Sequence, residues 1–229
     1  MNEVIILAGG LGTRLRSVVA DVPKCMAPVN GKPFIAHVID YFETQNIERF
    51  IFSLGYKHEE ISKYLSLHYP RLKAEFVIEK EPLGTGGAIK LSCSKAYGEN
   101  VIVTNGDTLF KASVEHLYSF HLDKDADCTL SLKPMHNFDR YGVVELNKDS
   151  SIKNFREKQF YKEGLINGGL YALNVDRFLQ EDLPQKFSFE KDYLEALFDK
   201  RKMFGVIQDE YFIDIGIPAD YERAQKELK

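Results

Sequence analysis

Val4-Ile5-Ile6-Leu7-Ala8-Gly9-Gly10-Leu11-Gly12-Thr13-Arg14-Leu15 is the stretch on which the fold turns. Val4 to Ala8 is a short apolar run cut off by Gly9-Gly10, the pattern of a buried parallel strand feeding a glycine loop. In the segment Leu7, Ala8, Gly9, Gly10, Leu11, Gly12, Thr13, Arg14, the glycines let successive backbone amides approach phosphate oxygens closely, which makes an anion cradle. It is not a P-loop, because G-x-x-x-x-G-K-[ST] is absent, and Leu15 stands where a dinucleotide fingerprint needs glycine or alanine. Arg14 is placed to clamp outer phosphates with a bidentate guanidinium, and Pro23-Lys24 sets a fixed turn before a lysine that can reach an inner phosphate. Each feature alone fits a tight turn with solvated cations; together, in this order, they point to a bound polyphosphate.

Working outward, apolar and β-branched runs at Phe50–Leu54, Ala74–Ile78, Val101–Thr104 and Cys128–Leu132 read as further strands. Amphipathic stretches at Ile35–Thr44, His58–Leu67, Thr85–Cys93 and Val114–His121 separate them, so helices cross over a largely parallel sheet. After Pro134 the rhythm changes to extended pieces at Val143–Leu146, Ile152–Phe155 and Ile166–Leu173. Helices are expected at Val175–Leu179, Glu190–Asp199 and Pro218–Leu228. The expected architecture is α/β: a Rossmann-like three-layer sandwich with a mixed, mostly parallel central sheet. One domain over 1–229 is expected, with 1–133 mainly a nucleotide-binding half and 134–229 mainly a half that binds the second substrate.

Composition narrows the function. Apolar residues at 44% and charged residues at 28% are ordinary globular usage, and a net charge of -4 offers no polybasic field for a nucleic-acid backbone. No stretch approaches the roughly 18 apolar residues of a membrane span, and Met1 leads into the first strand without a basic leader, so a cytoplasmic location is expected. Cys25, Cys93 and Cys128 form no C-x-x-C pair and suggest neither disulfide nor zinc, and the six histidines show no ligand spacing.

The string L-A-G-G-L-G-T-R-L, followed by Pro23-Lys24-Cys25-Met26-Ala27-Pro28-Val29, resembles the sugar nucleotidyltransferase family, which joins a nucleoside triphosphate to a sugar 1-phosphate. The likeness continues in the family's order through Glu79-Lys80-Glu81-Pro82-Leu83-Gly84-Thr85, Asn105-Gly106-Asp107, Tyr141-Gly142-Val143, Glu157-Lys158, Asn167-Gly168-Gly169 and Asp214-Ile215-Gly216. In size it is similar to the bacterial enzymes that guanylylate D-glycero-D-manno-heptose 1-phosphate, with muramic-acid 1-phosphate uridylyltransferases as near neighbours.

The resemblance implies roles residue by residue. Asp107 and Asp214 resemble the family's Mg²⁺ ligands, although an Asn-Gly-Asp turn and a helix cap would use the same residues. Arg14, Lys24, Asp107 and Lys158 are the expected catalytic set, the two lysines holding the reacting phosphates by preplaced charge. Besides the glycine loop and Lys24, the nucleotide would meet Glu79, Pro82, Gly84, Thr85, Asn105 and Asp107. A carboxylate at Glu79 can accept from guanine N1-H and the 2-amino group together, whereas uracil offers one donor between two acceptors; this favours GTP. Tyr141, Gly142, Glu157, Lys158, Asn167 and Gly168 are expected around the sugar phosphate, and Gly168-Gly169 is read as leaving room for a larger sugar such as a heptose. Phe187, Phe189 and Tyr193 read either as an apolar wall beside the sugar or as core.

The expected reaction is an in-line attack on the α-phosphorus, with pyrophosphate leaving along Gly9 to Arg14. UTP with N-acetylmuramate 1-phosphate or another hexose 1-phosphate is the alternative, and a homo-oligomer is compatible with either. A non-catalytic nucleotide-sugar sensor could keep the same loop while losing the ligands. A glycosyltransferase would not need the Arg14 and Lys24 pair, and a pterin guanylyltransferase would lack the Tyr141 and Glu157-Lys158 elements.

Overall fold

The computed structural model describes residues 3–10, 19 and 22–228. Strand β1 (Glu3–Leu7) is followed by a 3-10 turn (Lys24–Met26) and a small hairpin of β2 (Pro28–Val29) and β3 (Lys32–Pro33). Then α1 (Phe34–Thr44), β4 (Arg49–Leu54), α2 (His58–His68), β5 (Lys73–Ile78), α3 (Gly84–Cys93) and β6 (Asn100–Asn105) alternate as the hydrophobic periodicity requires. Next come β7 (Thr108–Phe110), α4 (Val114–Asp123) and the long β8 (Cys128–Phe138). The hairpin β9 (Val143–Leu146) and β10 (Ile152–Arg156) leads to β11 (Tyr161–Asn174). The chain continues through α5 (Val175–Leu179), a π-helical segment (Phe189–Glu195), β12 (Met203–Ile207), β13 (Phe212–Asp214) and α6 (Pro218–Glu227).

Nine strands form the main sheet, in the order β10-β9-β11-β6-β1-β4-β5, with β8 and β12 continuing from the other edge of β11. Following the pairings outward from β1, β10 and β11 run against it and the other six run with it. The sheet is therefore mixed and mostly parallel. Side chains of β1 alternate between two cores. Val4 and Ile6 pack with Phe34, Val38 and Phe42 of α1 and with residues of α2, α4 and α6. Ile5 packs with Ile89 of α3, Phe178 of α5 and Phe189 of the π-helical segment. That period of two, with helices on both faces, makes the three layers.

Three features depart from the sequence reading. The strand expected to end at Leu132 runs through Pro134 to Phe138, because β12 pairs with β8 only as far as Leu132 and leaves an open edge where a residue without N–H is tolerated. The expected α-helix from Glu190 is π-helical through Glu195, capped by Ser188, whose side chain accepts from Lys191 N–H. Strands β12, β7 and β13 are too short or too mixed in pattern to stand out in the sequence. All three cysteines are buried and free. Burial pushes the Cys25 and Cys93 thiols up to about 12, so they are inert small side chains.

Candidate active site

Four parallel strands end on the same side of the sheet: β1 at Gly9-Gly10, β4 at Gly55, β5 at Glu79 and β6 at Gly106-Asp107. From β1 the chain order proceeds to β4 on one side and β6 on the other, and this switch point is where an open α/β sheet leaves a crevice. A cleft of about 850 Å³ lies there. Its walls include Leu7, Ala8, Gly9, Gly10, Lys24, Glu79, Pro82, Gly84, Thr85, Asn105 and Asp107, all expected from sequence. Gly12, Thr13 and Arg14 lie outside the described residues. The walls also include Gly55, Tyr56 and His58 from the β4–α2 connection, which the sequence reading missed. These residues carry no phosphate or carboxylate chemistry that would single them out in a sequence.

Glu79 sits beneath the glycine loop. Its Oε2 accepts from Leu83 N–H at 3.1 Å and its Oε1 from Ser53 Oγ at 3.4 Å. A side chain at Gly9 would place its Cβ 2.5 Å from Glu79 Oε1, so glycine lets the loop lie this close without displacing the carboxylate. Burial raises the Glu79 carboxyl from its ordinary value, while the bonds from Leu83 and Ser53 pull it down in part.

A second cavity, about 670 Å³, adjoins the first and is lined by Tyr141, Gly142, Glu157, Lys158, Asn167, Gly168 and Asp214, again residues expected from sequence. Lys24, Asn105 and Asp107 line both cavities. They form the junction.

Asp107 and Asp214 reach that junction by different routes. Gly106 N–H bonds to Leu7 O at 2.8 Å and fixes the end of β6 against β1, which sets Asp107. Asp214 comes in on β13, whose antiparallel pairing with β7 puts it opposite Thr108, and Ile215 N–H bonds to Asp107 O at 3.1 Å. Asp107 follows a strand of the main sheet, whereas a separate two-stranded ribbon brings Asp214 in. Lys24 Nζ lies 2.5 Å from Asp107 Oδ2 and 3.5 Å from Asp214 Oδ1.

Asp214 is further held by Gly216 N–H at 2.7 Å, Tyr141 OH at 3.5 Å and Arg140 Nη2 at 3.7 Å, and Arg140 is anchored in turn by Asp220. Burial, reinforced by the Asp214 charge, raises the Tyr141 phenol, so it remains a donor toward that carboxylate.

Two carboxylates converging on one cation position suit a hard divalent ion that completes its shell with phosphate oxygens and water. Among the described residues no three His, Cys, Asp or Glu side chains group as a ligand set, so a metal here would depend on its substrates for further ligands.

In the second cavity, Asn167 sits at the register shift of β11 against β8. Its Nδ2 donates to Tyr171 OH at 2.9 Å and its Oδ1 accepts from Gly169 N–H at 3.0 Å. Bulges of this kind re-aim side chains beside functional sites. Gly169 has φ +70, and a Cβ at Gly168 would lie 2.4 Å from Phe110 Cδ1. Packing against Phe110 therefore accounts for Gly168, and the positive φ accounts for Gly169. Phe187, Phe189 and Tyr193 are core, packed with Phe178, and do not line the cavity. Instead the π-helical segment presents Glu190, Lys191, Leu194 and Glu195, missed because the phenylalanines around them dominate the pattern.

A crevice at the carboxyl ends of a mostly parallel sheet opens into two adjoining cavities that meet at a lysine between two carboxylates. The chain belongs to the nucleotidyl transferase family, which it matches over residues 3–229, and this family generally uses a divalent metal. It is 51% identical over 227 residues to a D-glycero-alpha-D-manno-heptose 1-phosphate guanylyltransferase of Aneurinibacillus thermoaerophilus, covering 99% of this chain and 98% of the relative. Identity to the enzyme of that name in Campylobacter jejuni subsp. jejuni is 45%, over 96% of each chain. The crystal structure of HddC from Yersinia pseudotuberculosis complexed with GMP-PN superposes with a TM-score of 0.90 at 39% identity, covering 100% of both chains. Among the described residues, no helix is long and apolar enough to cross a membrane.

Proposed function

We propose that this chain condenses GTP with D-glycero-α-D-manno-heptose 1-phosphate to give the GDP-heptose and pyrophosphate. The observation that carries the reading is the pair of adjoining cavities that, among the described residues, share Lys24, Asn105 and Asp107 on their walls. A nucleotide in the first and a sugar phosphate in the second would bring their phosphates together at that junction. The first cavity is lined entirely from 1–133 and the second mainly from 134–229, which supports a nucleotide half and a sugar-phosphate half. The guanylyltransferase relatives and the GMP-PN complex of HddC support guanine and heptose.

An oxygen of the sugar phosphate forms a bond to the α-phosphorus as the bond from that phosphorus to the bridging oxygen breaks, and pyrophosphate leaves with the electron pair. The attacking phosphate, with a second pKa of about 6, is already largely ionised near neutrality, so no protein base has to remove a proton. The work is alignment and charge neutralisation. Lys24 at the junction and Lys158 at the sugar-side rim supply fixed positive charge against the mutual repulsion of the two phosphates, and Arg14 takes the outer phosphates. Asp107 and Asp214 are the residues that would hold Mg²⁺, whose charge when bound offsets that of the phosphate oxygens. Glu79 accepts from guanine N1-H and the 2-amino group, while Tyr141, Gly142, Glu157, Asn167 and Gly168 surround the sugar.

The test is pyrophosphate release with Mg²⁺, crossing five nucleoside triphosphates against heptose, mannose, glucose and muramic acid 1-phosphates. Release with GTP and a manno-configured sugar is expected. Preference for UTP, or silence across the grid from folded protein, would refute the proposal.

A further inference from the structure

One wall of the sugar-side cavity has no role in the reading above. Glu190 lies in the first turn of the π-helical segment, is half-buried, and lines that cavity. Its Oε2 accepts from Thr85 Oγ1 at 2.7 Å and from Ser188 Oγ at 2.9 Å. Thr85 belongs to the first turn of α3 and lines the other cavity, on the nucleotide side. Three more bonds tie the two segments together: Phe189 N–H to Thr85 Oγ1 at 2.9 Å, Phe187 N–H to Leu83 O at 3.0 Å and Gly86 N–H to Phe187 O at 3.0 Å. The carboxylate is thus held from both cavities.

Both described bonds fall on Oε2. Among the described residues Glu190 has no ion-pair partner and Oε1 accepts from no protein donor. A half-buried carboxylate on a cavity wall, with one oxygen satisfied and the other without a protein donor among the described residues, calls for a ligand that supplies hydrogen-bond donors without negative charge of its own at that point. Sugar hydroxyls are such donors; phosphate oxygens are not.

We propose that Glu190 Oε1 accepts a hydroxyl hydrogen of the sugar, making Glu190 a specificity-determining residue whose position is fixed by Thr85 on the nucleotide side. This rests on the sugar 1-phosphate reading of the cavity. Lys191 and Glu195, also on the wall, are exposed at its rim, whereas Glu190 is placed to read one hydroxyl position. A sugar lacking that hydroxyl would leave the carboxylate oxygen unpaired.

Full-length wild type, Glu190→Gln and Glu190→Ala are compared by pyrophosphate release at saturating GTP, with the parent sugar 1-phosphate and its series of monodeoxy analogues. Glu190→Gln keeps an oxygen for Thr85 and Ser188 and turns an amide NH₂ toward the sugar, so it preserves the strut while removing the acceptor. The sugar-phosphate KM is expected to rise ~10- to 100-fold in both variants, with the KM for GTP within about twofold of wild type. One deoxygenation should cost wild type ~10- to 100-fold in kcat/KM and cost Glu190→Gln almost nothing further. A Glu190→Gln enzyme as sensitive as wild type to every deoxygenation, or with an unchanged sugar KM, overturns the assignment while leaving the reaction in place. Wild type silent with every nucleotide and sugar phosphate overturns the reaction itself, and this assignment with it.

Discussion

Replacing Glu79 by glutamine separates the recognition of guanine from everything else the nucleotide cavity does. Glu79 Oε2 accepts from Leu83 N–H, so the amide oxygen of glutamine has to take that place, because an NH₂ there would face another donor. The NH₂ then falls on the Oε1 side, toward Gly9 and Ser53, whose hydroxyl can rotate to accept. A site that offered two carboxylate oxygens now offers one donor where guanine N1-H or its 2-amino group also donates. Losing a charge-assisted bond in a partly buried site costs about 1.5–3 kcal/mol, or ~10- to 150-fold in kcat/KM for GTP. Uracil, with acceptors flanking a donor, meets the amide better than the carboxylate, so kcat/KM for UTP should hold or rise. The assay is pyrophosphate release over a GTP and a UTP titration at fixed sugar phosphate, with the thermal midpoint as a check on folding. The pH dependence adds a second readout. Burial raises the Glu79 carboxyl from its ordinary value, so acidification takes away this acceptor sooner than it would from an exposed carboxylate. The KM for GTP should climb as pH falls in wild type and stay flat in Glu79→Gln. A GTP to UTP preference that Glu79→Gln leaves unchanged would refute the assignment of base reading to this side chain.

Three further outcomes are expected. Asp107→Asn should lower kcat by ~10²–10³-fold, and chelating divalent metal should reversibly stop the wild type; a variant with wild-type turnover and an unshifted Mg²⁺ titration would remove Asp107 from the junction chemistry. His121 is buried between Thr129 Oγ1 at 2.9 Å and Asn100 Oδ1 at 3.0 Å, and burial, aided by the Arg177 charge, lowers it from 6.5 to about 4. The unfolded chain therefore binds the proton first, so stability is full above the unfolded value and falls as pH drops from 6.5 toward about 4, by roughly 3 kcal/mol at 1.36 kcal/mol per pH unit. Urea midpoints over that range should fall less steeply in His121→Gln, and an identical slope would discount the histidine. Gly168→Ala puts a methyl 2.4 Å from Phe110 Cδ1 and should lower stability by about 1–3 kcal/mol, which an unchanged thermal midpoint would contradict.

Much of the molecule was legible in the chain before any coordinates. Local hydrophobic period wrote β1, β4, β5 and β6 and the helices between them, because each buries its apolar residues against immediate neighbours in a βαβ repeat. That repeat puts the ends of all four strands on one edge, so Gly9, Glu79, Asn105 and Asp107 had to share a crevice. The motif order picked out residues that line the two cavities even where their contacts were not legible. Other features depend on which distant segments meet. The ribbon of β7 with β13 draws Asp214 to Asp107 through a pairing register that no local pattern encodes. The wider π-helical turn sets Glu190 on the cavity wall and buries Phe189 and Tyr193, a choice made by packing against Phe178 and α3. The sequence by itself determined the layers, the crevice and the chemical types gathered there, since those follow from local burial and spacing. Only the tertiary structure decided how Lys24 sits between two carboxylates and which oxygen of Glu190 stays open, because these are distances between parts of the chain that meet only when it folds.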